Sequence, residues 1–184
     1  MSRQFWDETL TWATSSGSTV NSANVETILF PNVTVPANYM QDGRVLRIRC
    51  QGQWTTTGST PTLTFFLRWG GVAVTVIAKT AAITTVASTT AAVFDMEIIV
   101  QTRSNGSSGT LMGIGICTVY AGVAPTVAST TGSAATTPMT AGGVLAPAIA
   151  TVDLTADTAL SITVQPSTTA LTVIGLNYVI EGLN

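Results

Sequence analysis

The stretch 43–71, GRVLRIRCQGQWTTTGSTPTLTFFLRWGG, constrains what this chain can fold into more than any other. In its first half Leu46, Ile48, Cys50, Gly52 and Trp54 share one parity, and Arg47, Arg49, Gln51, Gln53 and Thr55 share the other. Successive side chains on a strand point to opposite faces, so this alternation predicts one buried face and one polar face. TTGSTP then reads as a turn, with Gly58 free to take a positive φ and Pro61 fixing φ ahead of the next strand. In the second half Leu63, Phe65, Leu67 and Trp69 alternate with Thr64, Phe66 and Arg68. Two neighbouring strands that each carry an aromatic and aliphatic face need a further layer to cover them.

The remainder supplies that layer. Residues 1–24 read as an N-terminal arm in which Phe5, Trp6, Leu10 and Trp12 stand among small polar residues. Their spacing fits a helix face (Trp6, Leu10, Ala13) as well as a strand face (Trp6, Leu10, Trp12), and leaves the period open. These aromatics call for burial against the domain's own edge or against a neighbouring subunit. One strand is predicted over 25–30, broken at Pro31 and resumed over 33–35, and others over 72–79, 92–103, 110–121, 149–154, 159–165 and 170–181, with turns at PANYMQD, Gly70-Gly71 and SNGSSG. Within 92–103, Phe94, Met96, Ile98 and Val100 share the core parity. Gly113 and Gly115 interrupt the next strand and mark a close backbone approach or a bulge. The segment 122–148, rich in Ala, Thr, Gly and Pro, reads as a long projecting or wrapping loop with Met139 as a large apolar contact. Eight or nine strands with almost no helix predict an all-β, antiparallel, two-sheet jelly-roll sandwich over 25–184.

Charged residues make up 9% of the 184, against roughly 25% in an ordinary domain, and the formal net charge is −2. A surface so weakly charged favours association, so much of it is expected to be covered in an assembly; the competing reading is a monomer clothed in Thr hydroxyls. The opening MSRQFWDETL carries Asp7 and Glu8 where an export signal needs an apolar run. The apolar stretch 70–93 contains Lys79 and alternates Val74, Val76 and Ala78 with Thr75, Ile77 and Lys79, which fits a hairpin better than a membrane helix. Seven basic residues without a cluster argue against nucleic acid.

There is no histidine, which removes Ser-His-Asp, Cys-His and the common zinc-hydrolase sites, and no glycine-rich phosphate loop. No catalytic residue, metal or cofactor is expected. Asp95 and Glu97 share a strand face and could form an acid/base pair or ligate a cation; cross-strand ion pairs with Arg47, Arg49 or Arg68 are the stronger reading. Asp153 and Asp157 flank a turn and are expected to bond backbone groups. Cys50 and Cys117 read as buried thiols in preference to a disulfide, and without histidine they fall short of a zinc shell. Trp54 and Trp69 have core parity while Tyr39, Tyr120 and Tyr178 are scattered, so no stacking platform for a sugar is assembled in the sequence and a glycan partner stays open.

Three runs, DGRVLRIRCQGQWTTTGSTPTLTFFLRWGG, EIIVQTRSNGSSGTLMGIG and DLTADTALSITVQPSTTALTVIGLNYVIEG, together resemble a group of tailed-bacteriophage virion proteins. In that group a strand of the type G-D-x-L-R-I-R-x-x-G leads into a T-T-G-T-P-T-L turn. A second half of the type V-R-S-x-G-x-x-G-T and D-T-x-L-x-I-T-V-x-x-S follows. The resemblance covers roughly 25–121 and 149–181 and supplies no site residues. It implies a non-enzymatic jelly-roll subunit of the virion, assembled in the host bacterial cytoplasm. The expected role is capsid decoration or cement, as a homotrimer bound to the major capsid protein or another virion protein. The alternative it implies is a receptor- or glycan-binding module of a head or tail fibre. Contacts are expected at Phe5, Trp6, Trp12 and Met139.

Overall fold

The alternation in the 43–71 stretch is realised residue by residue. In the computed structural model, which describes residues 7–12, 17–120, 135–141 and 148–183, Leu46, Ile48, Cys50, Gly52 and Trp54 face inward and are buried. Leu63, Phe65, Leu67 and Trp69 do the same on the following strand. The strands run in chain order as β1 (Asp7–Trp12), β2 (Thr19–Val20), β3 (Thr27–Ile28), β4 (Val33–Val35), β5 (Val45–Thr56), β6 (Thr62–Trp69) and β7 (Thr75–Lys79). They continue as β8 (Ile83–Thr84), β9 (Ala92–Ser104), β10 (Gly109–Val119), β11 (Ala135–Thr140), β12 (Ile149–Val152), β13 (Thr158–Pro166) and β14 (Leu171–Leu183). The fold is all-β, with no helix among the described residues.

These 14 strands form one antiparallel hydrogen-bonded network in the order β1-β14-β5-β9-β10-β11-β7-β6-β13-β3. Strand β12 pairs with β10, β2 with β14, β4 with β13 and β8 with β6. The count exceeds the expected eight or nine because β1 and β2 lie in the expected arm, β11 lies in the expected loop, β8 is a two-residue piece, and the strand broken at Pro31 counts as β3 and β4. Strands β5 and β6, expected as hairpin neighbours, do not pair: β5 lies between β14 and β9, and β6 between β7 and β13. Their linker is a crossover, and Gly58 within it does not take a positive φ.

The sheet folds over on itself. Four steps separate β9 from β6, which in a flat sheet would be about 19 Å, yet the rings of Phe94 and Phe65 lie 4.7 Å apart. The two halves meet along the hydrogen-bonding direction at one residue pair, Thr140 with Lys79. Between them lies a single core containing Phe30, Leu46, Ile48, Trp54, Phe65, Phe94 and Met96.

Two local departures have clear causes. The expected alternation through 74–79 fails because the register shifts between Leu67–Ala78 and Arg68–Val76. The bulge leaves Ile77 unpaired, and Ile77 and Ala78 are both buried. The expected loop 122–148 contains strand β11, which pairs with β10 from Ile114–Thr140 to Val119–Ala135. Gly113 behaves as predicted: a Cβ there would lie 2.6 Å from the Ile77 carbonyl oxygen, so only glycine lets β10 come this close to β7.

The two thiols are free and buried. Cys50 and Cys117 both pair with Met96, from opposite sides, so a whole strand stands between them. Two strand spacings put their Cα atoms about 9.5 Å apart, beyond the reach of a disulfide. Burial pushes both thiol pKa values up, with the charge of Asp95 adding to the shift at each and Cys117 adding to it at Cys50. Because the folded values lie above the unfolded ones, the fold is unaffected below the ordinary thiol pKa and loses stability as pH rises past it. The unfolding free energy from urea titrations should therefore fall above about pH 9, by about 1.4 kcal/mol per pH unit per thiol. A C117A variant should show a shallower slope, and an unchanged slope would mean that the thiols ionise in place.

Candidate interaction surface

The outward face of β14-β5-β9-β10-β11 divides into a charged half and an apolar half. On the charged half Arg47 Nε donates to Glu181 Oε2 at 2.7 Å, and Arg49 Nη2 donates to Glu97 Oε1 at 3.2 Å. Glu97 is thus one partner of a cross-strand ion pair, as expected, and Arg49 and Glu97 are paired in register. Asp153 and Asp157 also act as expected. Asp153 Oδ1 accepts from Thr155 N at 2.8 Å and Thr155 Oγ1 at 2.6 Å, which holds its carboxyl below the usual range, and Asp157 Oδ1 accepts from Ala37 N at 2.8 Å.

The apolar half was not anticipated. Ile114 and Ile116 stand on the outer face of β10, Ile99 lies opposite Ile114 on β9, and Ile149 on β12 lies opposite Met112. These isoleucines keep between 38% and 59% of their surface, far more than branched aliphatics in a sheet usually retain. The signal was present in the sequence. Gly113 and Gly115 occupy the crowded inner parity of β10, so the isoleucines between and beyond them must face outward.

On the same face, toward the start of β9 and bordering Ile116, lies an open groove of about 470 Å³ lined by Gln51, Val93, Asp95 and Tyr120. Tyr120 is 45% exposed and is held beside β9 by its N–H donating to Val93 O at 2.9 Å. Asn177 Nδ2 donates to Gln51 Oε1 at 3.2 Å.

Of the four residues expected as contacts, the two that are described do not come together. Phe5 and Trp6 lie outside the described residues. Trp12 ends β1, an edge strand that pairs with β14 along Asp7–Leu183 to Trp12–Val179, and it is 64% exposed. The backbone over 7–12 is therefore a strand, but the register shift between Thr9 and Thr11 leaves Leu10 unpaired, so Leu10 packs against the core while Trp12 stays exposed and the two do not share a covered face. Met139 is fully buried in the core opposite Gly115, so its side chain offers nothing to a partner in this fold. Trp54 and Trp69 are core residues; Trp69 Nε1 donates to Asp153 O at 3.3 Å.

Parts of the expected arm are built into the sheet. Val20 is buried, Gly17 N donates to Gly175 O at 2.7 Å, and Glu8 accepts from Tyr39 Oη at 3.1 Å and faces Arg44 at 3.4 Å. The Arg44 guanidinium sits 3.8 Å from the centre of the Tyr39 ring. Burial raises the Tyr39 pKa, with the Arg44 charge opposing the shift. No protein-family model matches this chain, and the curated proteins and the solved structures yield no significant match.

Proposed function

We propose that this protein is a non-enzymatic structural subunit of a bacteriophage particle, folded as a jelly-roll sandwich and acting as capsid decoration or cement through self-association and attachment to the shell. The observation that carries this reading is the apolar outer face of Ile99, Ile114, Ile116 and Ile149 on a chain whose charged residues amount to 9%. Such a patch on a sheet face marks a protein contact more often than a small-molecule site. The single-pair junction between Thr140 and Lys79, together with the Phe65–Phe94 contact across the core, supports the sandwich description. The resemblance of the three runs quoted above supports the virion setting, and the homotrimer is the oligomer that it implies.

Completing the burial of these half-exposed isoleucines contributes about 1 kcal/mol each, and Trp12 at the β1 edge offers further area. Light scattering on the purified protein should give an oligomer, with a trimer as the expected mass. Ile116→Asp should give a folded monomer, because the substituted side chain is 54% exposed and supports no core packing. Occupancy on purified particles should fall with it. A wild-type monomer that binds no particle would overturn the reading. Removing residues 1–24 would strip Val20 from the core and β1 from β14, so Trp12→Ser is the probe of the arm.

A further inference from the structure

The groove at the start of β9 presents a combination that the assembly reading does not use. Asp95 lies between Gln51 on β5 and Thr118 on β10, side by side on the outer face. Its neighbours are engaged: Gln51 Oε1 accepts from Asn177, and the Thr118 and Thr136 hydroxyls are 3.3 Å apart. Glu97, two residues on, is paired with Arg49. The Asp95 carboxylate, by contrast, makes no hydrogen bond or ion pair with a described residue, and neither does the Gln51 NH2 group. An acceptor-only group and a donor-only group thus stand on adjacent strands, both bordering the groove, with the Tyr120 ring exposed beside them.

We propose that this groove binds a neutral pyranoside, with Tyr120 as the stacking platform and Gln51 and Asp95 as the hydroxyl-reading pair. A sugar hydroxyl is donor and acceptor at once, so neighbouring hydroxyls can accept from the Gln51 amide and donate to the Asp95 carboxylate. The hydrogen bond to the charged carboxylate is the stronger of the two. The apolar C–H face of the ring covers Tyr120 and Val93, an aromatic and aliphatic wall of the kind small-ligand sites use. A cationic side chain would satisfy Asp95 but leave the amide donor of Gln51 facing another donor, so the pair favours hydroxyls over ammonium. The volume of about 470 Å³ falls within the range of small-ligand pockets and accommodates one or two sugar rings. Val93 and Asp95 lie six and four residues from Ile99 along β9, and Ile116 is paired with Glu97, two residues from Asp95, so the groove borders the isoleucine face on its β9 side. The inference does not depend on the virion reading.

The test is saturation-transfer NMR on the full chain with the methyl glycosides of glucose, galactose, mannose and N-acetylglucosamine. At least one should receive saturation, strongest at the C–H protons of one ring face. Tyr120→Ala and Asp95→Asn should each weaken that binding about tenfold or more, while Tyr120→Phe, which keeps the ring, should stay within about threefold. Neither Asp95 nor Tyr120 holds a side-chain bond with a described residue, so circular dichroism of the variants should match the wild type. Transfer to none of the four glycosides would overturn the assignment. So would transfer undiminished in both Asp95→Asn and Tyr120→Ala, or displacement of the glycoside by N-acetyl-lysine methylamide.

Discussion

Glu26→Ala is expected to destabilise this protein by about 3–5 kcal/mol, the range for breaking a buried ion pair from one side. Glu26 and Arg68 form a two-pronged pair whose side chains are 11% and 12% exposed. Arg68 also donates to Val74 O at 2.6 Å and lies over the Phe66 ring at 4.7 Å, while Glu26 accepts from the buried hydroxyl of Thr163. This one cluster therefore pins the segment before β3 and the turn before β7 onto the outer face of β6 and β13. Removing the carboxylate leaves a guanidinium with little access to water and strands the Thr163 hydroxyl. Urea denaturation followed by tryptophan fluorescence measures the loss. The double variant Glu26→Met/Arg68→Met should recover much of it, since apolar replacement of both partners removes the uncompensated charge. A loss under about 1 kcal/mol for Glu26→Ala would show that the pair behaves as an exposed one.

The second large effect is expected at Gly52. It faces Gly175 across β5 and β14, and the aromatic ring of Phe94 lies over it as that of Phe30 lies over Gly175. A Cβ at position 52 would fall inside contact distance of the Ile174 carbonyl oxygen and the Phe94 ring. Backbone cannot give way as a flexible side chain can, and Phe94 is fixed by Phe65 across the core. Gly52→Ala should therefore cost about 3 kcal/mol or more, at the upper end for overpacking. Gly58→Ala is the control: its position is open, its φ is not positive, and reduced freedom of the unfolded chain should leave stability level or raised by up to about 1 kcal/mol. Equal effects at the two positions would mean that close packing over Gly52 is not what its glycine serves.

Much of the candidate surface was legible and some was passed over. Glu97 with Arg49 followed from parity, since two outward positions on neighbouring strands meet whenever the strands pair in that register. The isoleucines of β10 could have been read from the glycines that alternate with them. Tyr120 could not, because its place beside Asp95 depends on β9 and β10 aligning Val93 with the end of β10. Met139 went the other way. Its neighbourhood of small residues suggests a loop, and only pairing of β11 with β10 turns it inward.

Local periodicity in the sequence determined that the chain is all-β and which side of β5, β6 and β9 turns into the core, because side-chain direction alternates along a strand whatever its partners. Tertiary structure alone decided which strands lie together: that β5 joins β9 and β14 and not β6, that Ile77 bulges inward, and that 7–12 adds an edge to β14. The reason is that pairing depends on covering a shared core and satisfying backbone groups over long sequence separations. The pattern of any single strand is equally compatible with several neighbours.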